Sequence, residues 1–288
     1  MFKLPRLALL TFALSLTTTS PVCAADSTGI YTLVDGDVRV MRGTAWFRLA
    51  PGTRMLEGDV IDVGERAQFQ LELTGGGSLN AQGPALMYAA SVAMPDAKPP
   101  AVAELTVLQG WLKATGKAAR PLRIRAPTLT VTLADAVVVA SCDARRAEAF
   151  VESGTARVAL PRGNDPPRDV AAGEFVSRAD ERAPVVGTRV PPAFLAALPR
   201  QFRDPLPALA SRFPVPPETL VKTGDVSFVE AEPWLVGVNR RAFVRRFTPR
   251  LSDPAFRAAV AARPAAFPEW DRVLHPEKYR PKETSDTN

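Results

Sequence analysis

The sequence predicts a mainly β protein: a roll or sandwich of short strands, followed by a proline-rich, mostly α-helical C-terminal region. Apolar and polar residues alternate in short runs from Gly29 to about Arg178. Glycine-rich turns break these runs at intervals of roughly ten to twenty residues, as all-β folds require. Past Ala183 the alternation gives way to apolar residues at helical spacing, cut by prolines.

Before the first strand, Lys3 and Arg6 precede a mostly apolar run from Leu7 to Leu16, and Val22-Cys23-Ala24 offers small residues for cleavage. Residues 1–24 therefore read as a secretory signal peptide, with a periplasmic destination. The apolar run is too short to span a bilayer. Ser20-Pro21-Val22 departs from the sequence that precedes a lipidated cysteine, so no lipid anchor on Cys23 is expected. Cleavage after Ala24 leaves Cys142 as the one cysteine, which excludes an internal disulfide and puts the burden of stability on an apolar core.

Residues 25–183 form the expected β domain. Asp35-Gly36 between the runs Ile30 to Val34 and Asp37 to Met41 is a hairpin signal. Ala67, Phe69, Leu71 and Leu73 alternate with Gln68, Gln70 and Glu72, so one face of that strand is buried. Gly75-Gly76-Gly77 supplies a turn, and Leu79 with Ala81 resumes the alternation. Further strands are expected at Leu105 to Leu108, Trp111 to Ala114, Leu122 to Ala126, Leu129 to Leu133, Ala136 to Ala140, Glu148 to Glu152 and Ala156 to Leu160. Pro95, Pro99 and Pro100 mark Ser91 to Pro100 as an extended surface insertion, a hinge or linker between two β halves.

Residues 184–288 form the C-terminal region. Helical spacing joins Phe194, Leu195, Leu198 and Phe202, then Leu206, Leu209 and Phe213; Asn239 to Phe247 and Asp253 to Ala262 are further helices. Ser252-Asp253-Pro254 caps the last of these. Pro205, Pro207, Pro214, Pro216, Pro217, Pro233 and Pro249 cut the region into pieces too short to be stable alone. The region should therefore pack on the β domain or on a partner, whereas the β domain should fold by itself.

The net charge of +6 is uneven. Basic and acidic residues balance between Ala25 and Arg189, and past the leader the excess lies wholly beyond Val190. A neutral β region and a secretory leader argue against nucleic acid as a partner.

Two motif series run in a familiar order. Val34-Asp35-Gly36-Asp37-Val38-Arg39-Val40 is followed by Leu56-Glu57-Gly58-Asp59-Val60-Ile61-Asp62-Val63-Gly64 and Phe69-Gln70-Leu71. Gly77-Ser78-Leu79, Leu108-Gln109-Gly110-Trp111-Leu112, Val151 to Val158 and Ala172-Gly173-Glu174-Phe175-Val176 come after. In this order the chain resembles FecR-type domains over about 150 residues. Asp135 to Val139 departs from the family's G-T-x-F-x-V strand, and Val63 stands where Thr usually precedes the glycine. The regulators that give the family its name place a cytoplasmic anti-sigma segment and a membrane helix before the domain, where this chain has a cleavable leader. The resemblance thus implies an exported β fold with a partner-binding habit, and does not carry over the anti-sigma role.

Catalytic chemistry has little to build on. His275, the one histidine, lies in a proline-rich end segment, far in sequence from Cys142, so neither a triad nor a zinc site assembles readily. No cofactor and no metal are expected, and the chain reads as a non-enzyme. Asp35, Asp37, Glu57 and Asp59 could serve a carboxylate-dependent glycan-cleaving or glycan-binding protein, the alternative reading. Each stands beside Gly36 or Gly58, where turn chemistry accounts for it. Trp46 and Trp111 sit in strand-like contexts that suit a core. Cys142 reads as a small residue at a strand end, although Arg145 and Arg146 would activate a thiol if they converged on it.

The candidate partner-binding residues are Arg240, Arg241, Arg245, Arg246 and Arg250, set around a helix whose apolar face holds Phe243, Val244 and Phe247. A solvated helix face explains them. So does contact with an anionic envelope protein or wall component, for which forked guanidinium donors are suited. Trp234 and Trp270, each past a proline, are expected to anchor the tail to the β domain. The chain therefore reads as a binding or scaffold module, or an envelope-signalling one, that contacts another cell-envelope component.

Overall fold

The computed structural model describes residues 29–91, 102–161, 166–203, 207–213 and 220–279. The expected leader and cleavage site, Cys23 and the expected insertion beyond Ser91 lie outside them. The chain is mainly β, with a helical C-terminal region.

Strands β1 (Gly29–Asp35), β2 (Val38–Arg42), β3 (Ala45–Arg48), β4 (Arg54–Met55), β5 (Val60–Val63), β6 (Gln68–Leu73) and β7 (Ser78–Ser91) lead to β8 (Ala103–Thr115). Then come β9 (Leu122–Arg125), β10 (Thr130–Leu133), β11 (Val137–Cys142), β12 (Arg146–Ser153), β13 (Thr155–Ala159), β14 (Arg168–Ala171), β15 (Phe175–Ala179) and β16 (Val185–Gly187). The C-terminal region holds α1 (Pro192–Ala197), β17 (Val221–Asp225), α2 (Phe228–Val236), α3 (Arg240–Phe247), α4 (Pro254–Ala261) and α5 (Asp271–Leu274), with short 3-10 segments among them.

The two long strands β7 and β8 pair antiparallel with each other and form a spine. Each changes partner along its length. The first part of β7 pairs β6 and its later part pairs β5. The first part of β8 pairs β9 in parallel and its later part pairs β11. A first flank therefore runs β4-β1-β6-β7-β8-β11-β12-β15-β16, and a second runs β17-β3-β2-β5-β7-β8-β9-β10-β13-β14. At the change of partner in β8, Gly110 has φ +117, and a Cβ there would lie 2.3 Å from the Ala85 Cβ. Only glycine accommodates both that backbone and that approach.

Tyr31, Leu71, Leu79, Leu112 and Val138 from the first flank meet Val40, Ile61, Met87, Leu105 and Val131 from the second in one apolar core. The outward positions are apolar too, over part of each flank. Met41, Val60 and Tyr88 alternate with Val40, Ile61 and Met87, and pack under Phe228, Trp234, Phe243 and Phe247 of the C-terminal helices. On the first flank, Val139 and Phe175 pack under Phe194 of α1 and Phe202. The C-terminal region covers the outside of both flanks. Trp234 meets Tyr88 with ring centroids 5.8 Å apart, whereas Trp270 packs within the tail, against Phe267 and Phe256.

Two local expectations need correction. The C-terminal region contributes a strand, β17, which pairs antiparallel with β3. Five largely exposed residues carry no clear period-two signal, and the hydrogen bonds that fix them come from a distant edge. The expected helix at Phe194 to Phe202 shrinks to α1 and a single turn at Arg200–Phe202; Leu206 lies outside the described residues, and residues 207–213 hold only a single turn at Ala210–Arg212. Pro199 is the break in the first case, because the residue before a proline disfavours helical backbone; Leu198 has ψ 123.

Candidate functional site

Helix α3 buries Phe243, Val244 and Phe247, the face expected from the spacing. Phe243 stacks on Trp234 at 5.2 Å and meets Tyr88 edge-on at 4.9 Å. The five arginines divide by task. Arg246 donates to the main-chain carbonyls of Met41 (2.9 Å), Gly58 (2.6 Å) and Gly43, all in the β region. Burial holds its guanidinium below the ordinary range, while Tyr88 and Asp59 nearby act the other way. Arg240 bonds Glu269 and the Ala266 carbonyl, and Arg250 bonds Asp253 at 2.6 Å with Asp225 at 3.4 Å. Among the described residues, Arg241 and Arg245 are exposed and make no hydrogen bond or ion pair. The structure thus gives three of the candidate residues intramolecular partners and leaves Arg241 and Arg245 facing water.

Beside them lies an apolar surface that the sequence reading passed over. Val229 is 73% exposed, Val236 55% and Val238 60%. Val229, Pro233 and Val236 follow one another at helical spacing on the outer side of α2, and Val238 leads into α3. A capping box fixes the start of α2: Ser227 Oγ accepts from Glu230 N and Glu230 bonds back to Ser227 N at 2.9 Å. Glu230 also pairs with Arg39 at 2.8 Å. The signal for this patch was the valine spacing itself, but which face of α2 is covered depends on Tyr88 and Trp46 across the sheet.

Of the four carboxylates beside Gly36 and Gly58, Asp59 makes the bond to a nearby main-chain amide that a turn role requires. Asp35 accepts from Gln68, and the Asp37 carbonyl accepts from Gly64 N. Asp59 is 1% exposed, pairs with Arg42 at 2.9 and 3.0 Å, and accepts from Leu56 N at 2.9 Å. Burial pushes its carboxyl up, against the pull of Arg42 and the Leu56 amide. Glu57 is exposed. Burial, with Asp143 alongside, pushes the Cys142 thiol up to about 12, and its Sγ faces the Val107 carbonyl at 3.8 Å. Arg145 turns away to Asp180 and Arg146 to Glu148, so neither activates the thiol. His275 is partly exposed and its Nδ1 lies 3.2 Å from Glu277. Trp46 is buried beneath the Arg39 guanidinium, 4.1 Å from the ring centroid, and Trp111 packs on Phe194.

A cleft of about 950 Å³ lies on the outside of the first flank, where the outward residues turn polar. Gln70, Glu72, Asn80, Lys113 and Glu152 line the sheet side; Gln201, Arg203, Ala208, Ala210 and Phe213 line the other. Gln70 and Glu72 were legible as the polar side of a strand, but the cleft needs the register of several strands and the approach of residues 200–203 and 207–213. No group of three or more His, Cys, Asp or Glu side chains able to hold a metal occurs among the described residues, and no described helix is long and apolar enough to cross a membrane.

No protein-family model matches the chain, and no curated protein does. Two crystal structures of a proposed anti-sigma factor from Parabacteroides distasonis, at 1.65 and 2.50 Å resolution, are similar to part of it. Each is 12% identical with a TM-score of 0.37, covering 45% of this chain and 59% of that one, so the chain spans less than two thirds of the neighbour's length.

Proposed function

We propose that this chain is a periplasmic, non-enzymatic FecR-like module that binds another envelope component through the outer face of α2 and α3. The observation that carries the reading is the juxtaposition, within one short stretch of chain, of exposed Val229, Val236 and Val238 with Arg241 and Arg245. Exposed apolar residues rimmed by unpaired charge suit a partner with an apolar patch and carboxylates. The platform is rigid, since Arg246 and the aromatic cluster fix α3 to the sheet.

The test is a photo-crosslinking residue at Val238 in the exported protein, with adducts identified by mass spectrometry. One envelope protein should be captured, and capture should fall as salt rises, because exposed charges are screened within about 8 Å at physiological ionic strength. Replacing Arg241 and Arg245 by Glu should abolish capture without lowering the melting temperature. Equal capture by that variant would reject this face as the docking surface.

A further inference from the structure

We propose that the polar cleft on the first flank is a binding site for an extended peptide, held through its main-chain amides. Strand register sets the site. Gln70 of β6 stands opposite Asn80 of β7, which stands opposite Lys113 of β8; the next row is Glu72, Ser78 and Thr115. Residues two apart on a strand share a face, so six polar side chains form a two-row lattice across three strands. The outer positions Val139 and Phe175 of the same flank are apolar and covered by Phe194 and Phe202 instead.

The protein's own chain shows what this lattice recognises. Residues 200–203 and 207–213 cross it without pairing as strands, and side chains of the lattice hold them. Gln70 Nε2 donates to the Pro207 carbonyl at 3.0 Å; Glu72 accepts from Leu209 N at 2.5 Å and Ala210 N at 3.2 Å; Lys113 Nζ donates to the Phe202 carbonyl at 2.7 Å. Every one of these bonds runs from a sheet side chain to a main-chain N–H or C=O. The lattice reads peptide units, and does so without regard to side-chain identity.

The cleft that remains beside these segments is large enough for several residues of a second extended chain. Two amides that line it each keep one buried atom without a bond: the acceptor Asn80 Oδ1 and the donor Gln201 Nε2. Each is a lack that a peptide unit, with one N–H and one C=O, can fill once the side-chain amide turns toward the cleft. Lys113 pairs with Glu152 at 2.7 Å and Glu72 faces two amides, so opposite charges interleave on the sheet side of the cleft. Phe213 is the only aromatic ring among the described lining residues, which gives a sugar ring little to stack on. The site is separate from the α2–α3 face and does not depend on the function proposed above.

The experiment is selection of a random twelve-residue peptide library on the full mature protein, with chitohexaose as the glycan probe. Selected peptides should shift the side-chain amide resonances of Asn80 and Gln201, and bind the Asn80→Leu variant at least about tenfold more weakly. Asn80→Ser, which keeps a polar side chain, guards against misfolding of the leucine variant, and the resonance mapping needs no variant at all. Failure to select any peptide above background overturns the proposal. So does mapping of the selected peptides to α2 and α3, or a shift of Asn80 and Gln201 by chitohexaose and not by peptide.

Discussion

Arg246 donates from Nη2 to the main-chain carbonyl of Met41 across 2.9 Å, and this bond ties α3 to β2. The same guanidinium reaches the carbonyls of Gly43 and Gly58, in the turns after β2 and before β5. Main-chain carbonyls of turns have no ladder partner of their own, so a buried planar fork that satisfies two of them, together with the Met41 carbonyl of β2, fastens the tail to the β domain.

Replacing Arg246 by Gln should therefore destabilise the protein by roughly 2–4 kcal/mol, the range for breaking buried charge-assisted bonds. Arg241→Gln and Arg245→Gln should each stay within about 0.5 kcal/mol of the parent, as exposed substitutions do. Urea midpoints at constant slope measure both. A midpoint for Arg246→Gln equal to that of the exposed pair would mean that the clamp contributes nothing.

Removal of residues 226–288 should leave the β domain soft, the opposite of what strand periodicity alone leads one to expect. Met41, Val60 and Tyr88 would lose the cover of Phe228, Trp234, Phe243 and Phe247. The truncated chain should bind an apolar dye and lose its sharp thermal transition. A cooperative, dye-free melt of the truncated protein would show that the helices are dispensable to the core.

The Cys142 thiol, pushed up to about 12, should react with a disulfide reagent near pH 8 far more slowly in the native protein than in denaturant. A raised thiol pKa stabilises the fold below its unfolded value, about 8.5, and that contribution is lost as pH rises toward about 12. The stability difference between the parent and Cys142→Ala should accordingly shrink across that window. A constant difference would exclude the linkage.

Gly110→Ala should cost about 2 kcal/mol or more, because the new Cβ meets both Ala85 at 2.3 Å and a backbone at φ +117. Thermal melts decide it, and a neutral outcome would mean that the spine relaxes freely at this corner.

Burial pushes the Glu230 carboxyl up, yet the Ser227 amide and hydroxyl and the Arg39 guanidinium bring it below its usual range. Its stabilising contribution is then present above the unfolded value, about 4.3, and fades as pH falls through the folded value. Glu230→Gln should lower the melting temperature at neutral pH, with a gap that closes under acid. A gap independent of pH would assign the loss to the cap geometry alone.

How much of this was legible in the sequence varies by element. Alternation at Ala67 to Leu73 identified β6 and its buried face, Asp35-Gly36 identified the first hairpin, and the Asp253 cap and the Phe243, Val244, Phe247 face identified α4 and α3. These are local properties: a period, a turn residue and a cap each act within a few residues, so composition and spacing determine them. The division of the arginines was not local. Arg245 and Arg246 are adjacent and chemically identical, and only the approach of α3 to the turns at Gly43 and Gly58 sends one inward and leaves the other in water. β17 likewise exists because β3 offers an unpaired edge far away in the chain. The cleft, too, arises from register across β6, β7 and β8. A one-residue slip would have turned its polar lattice into the core, a choice made by the packed interior rather than by any one strand.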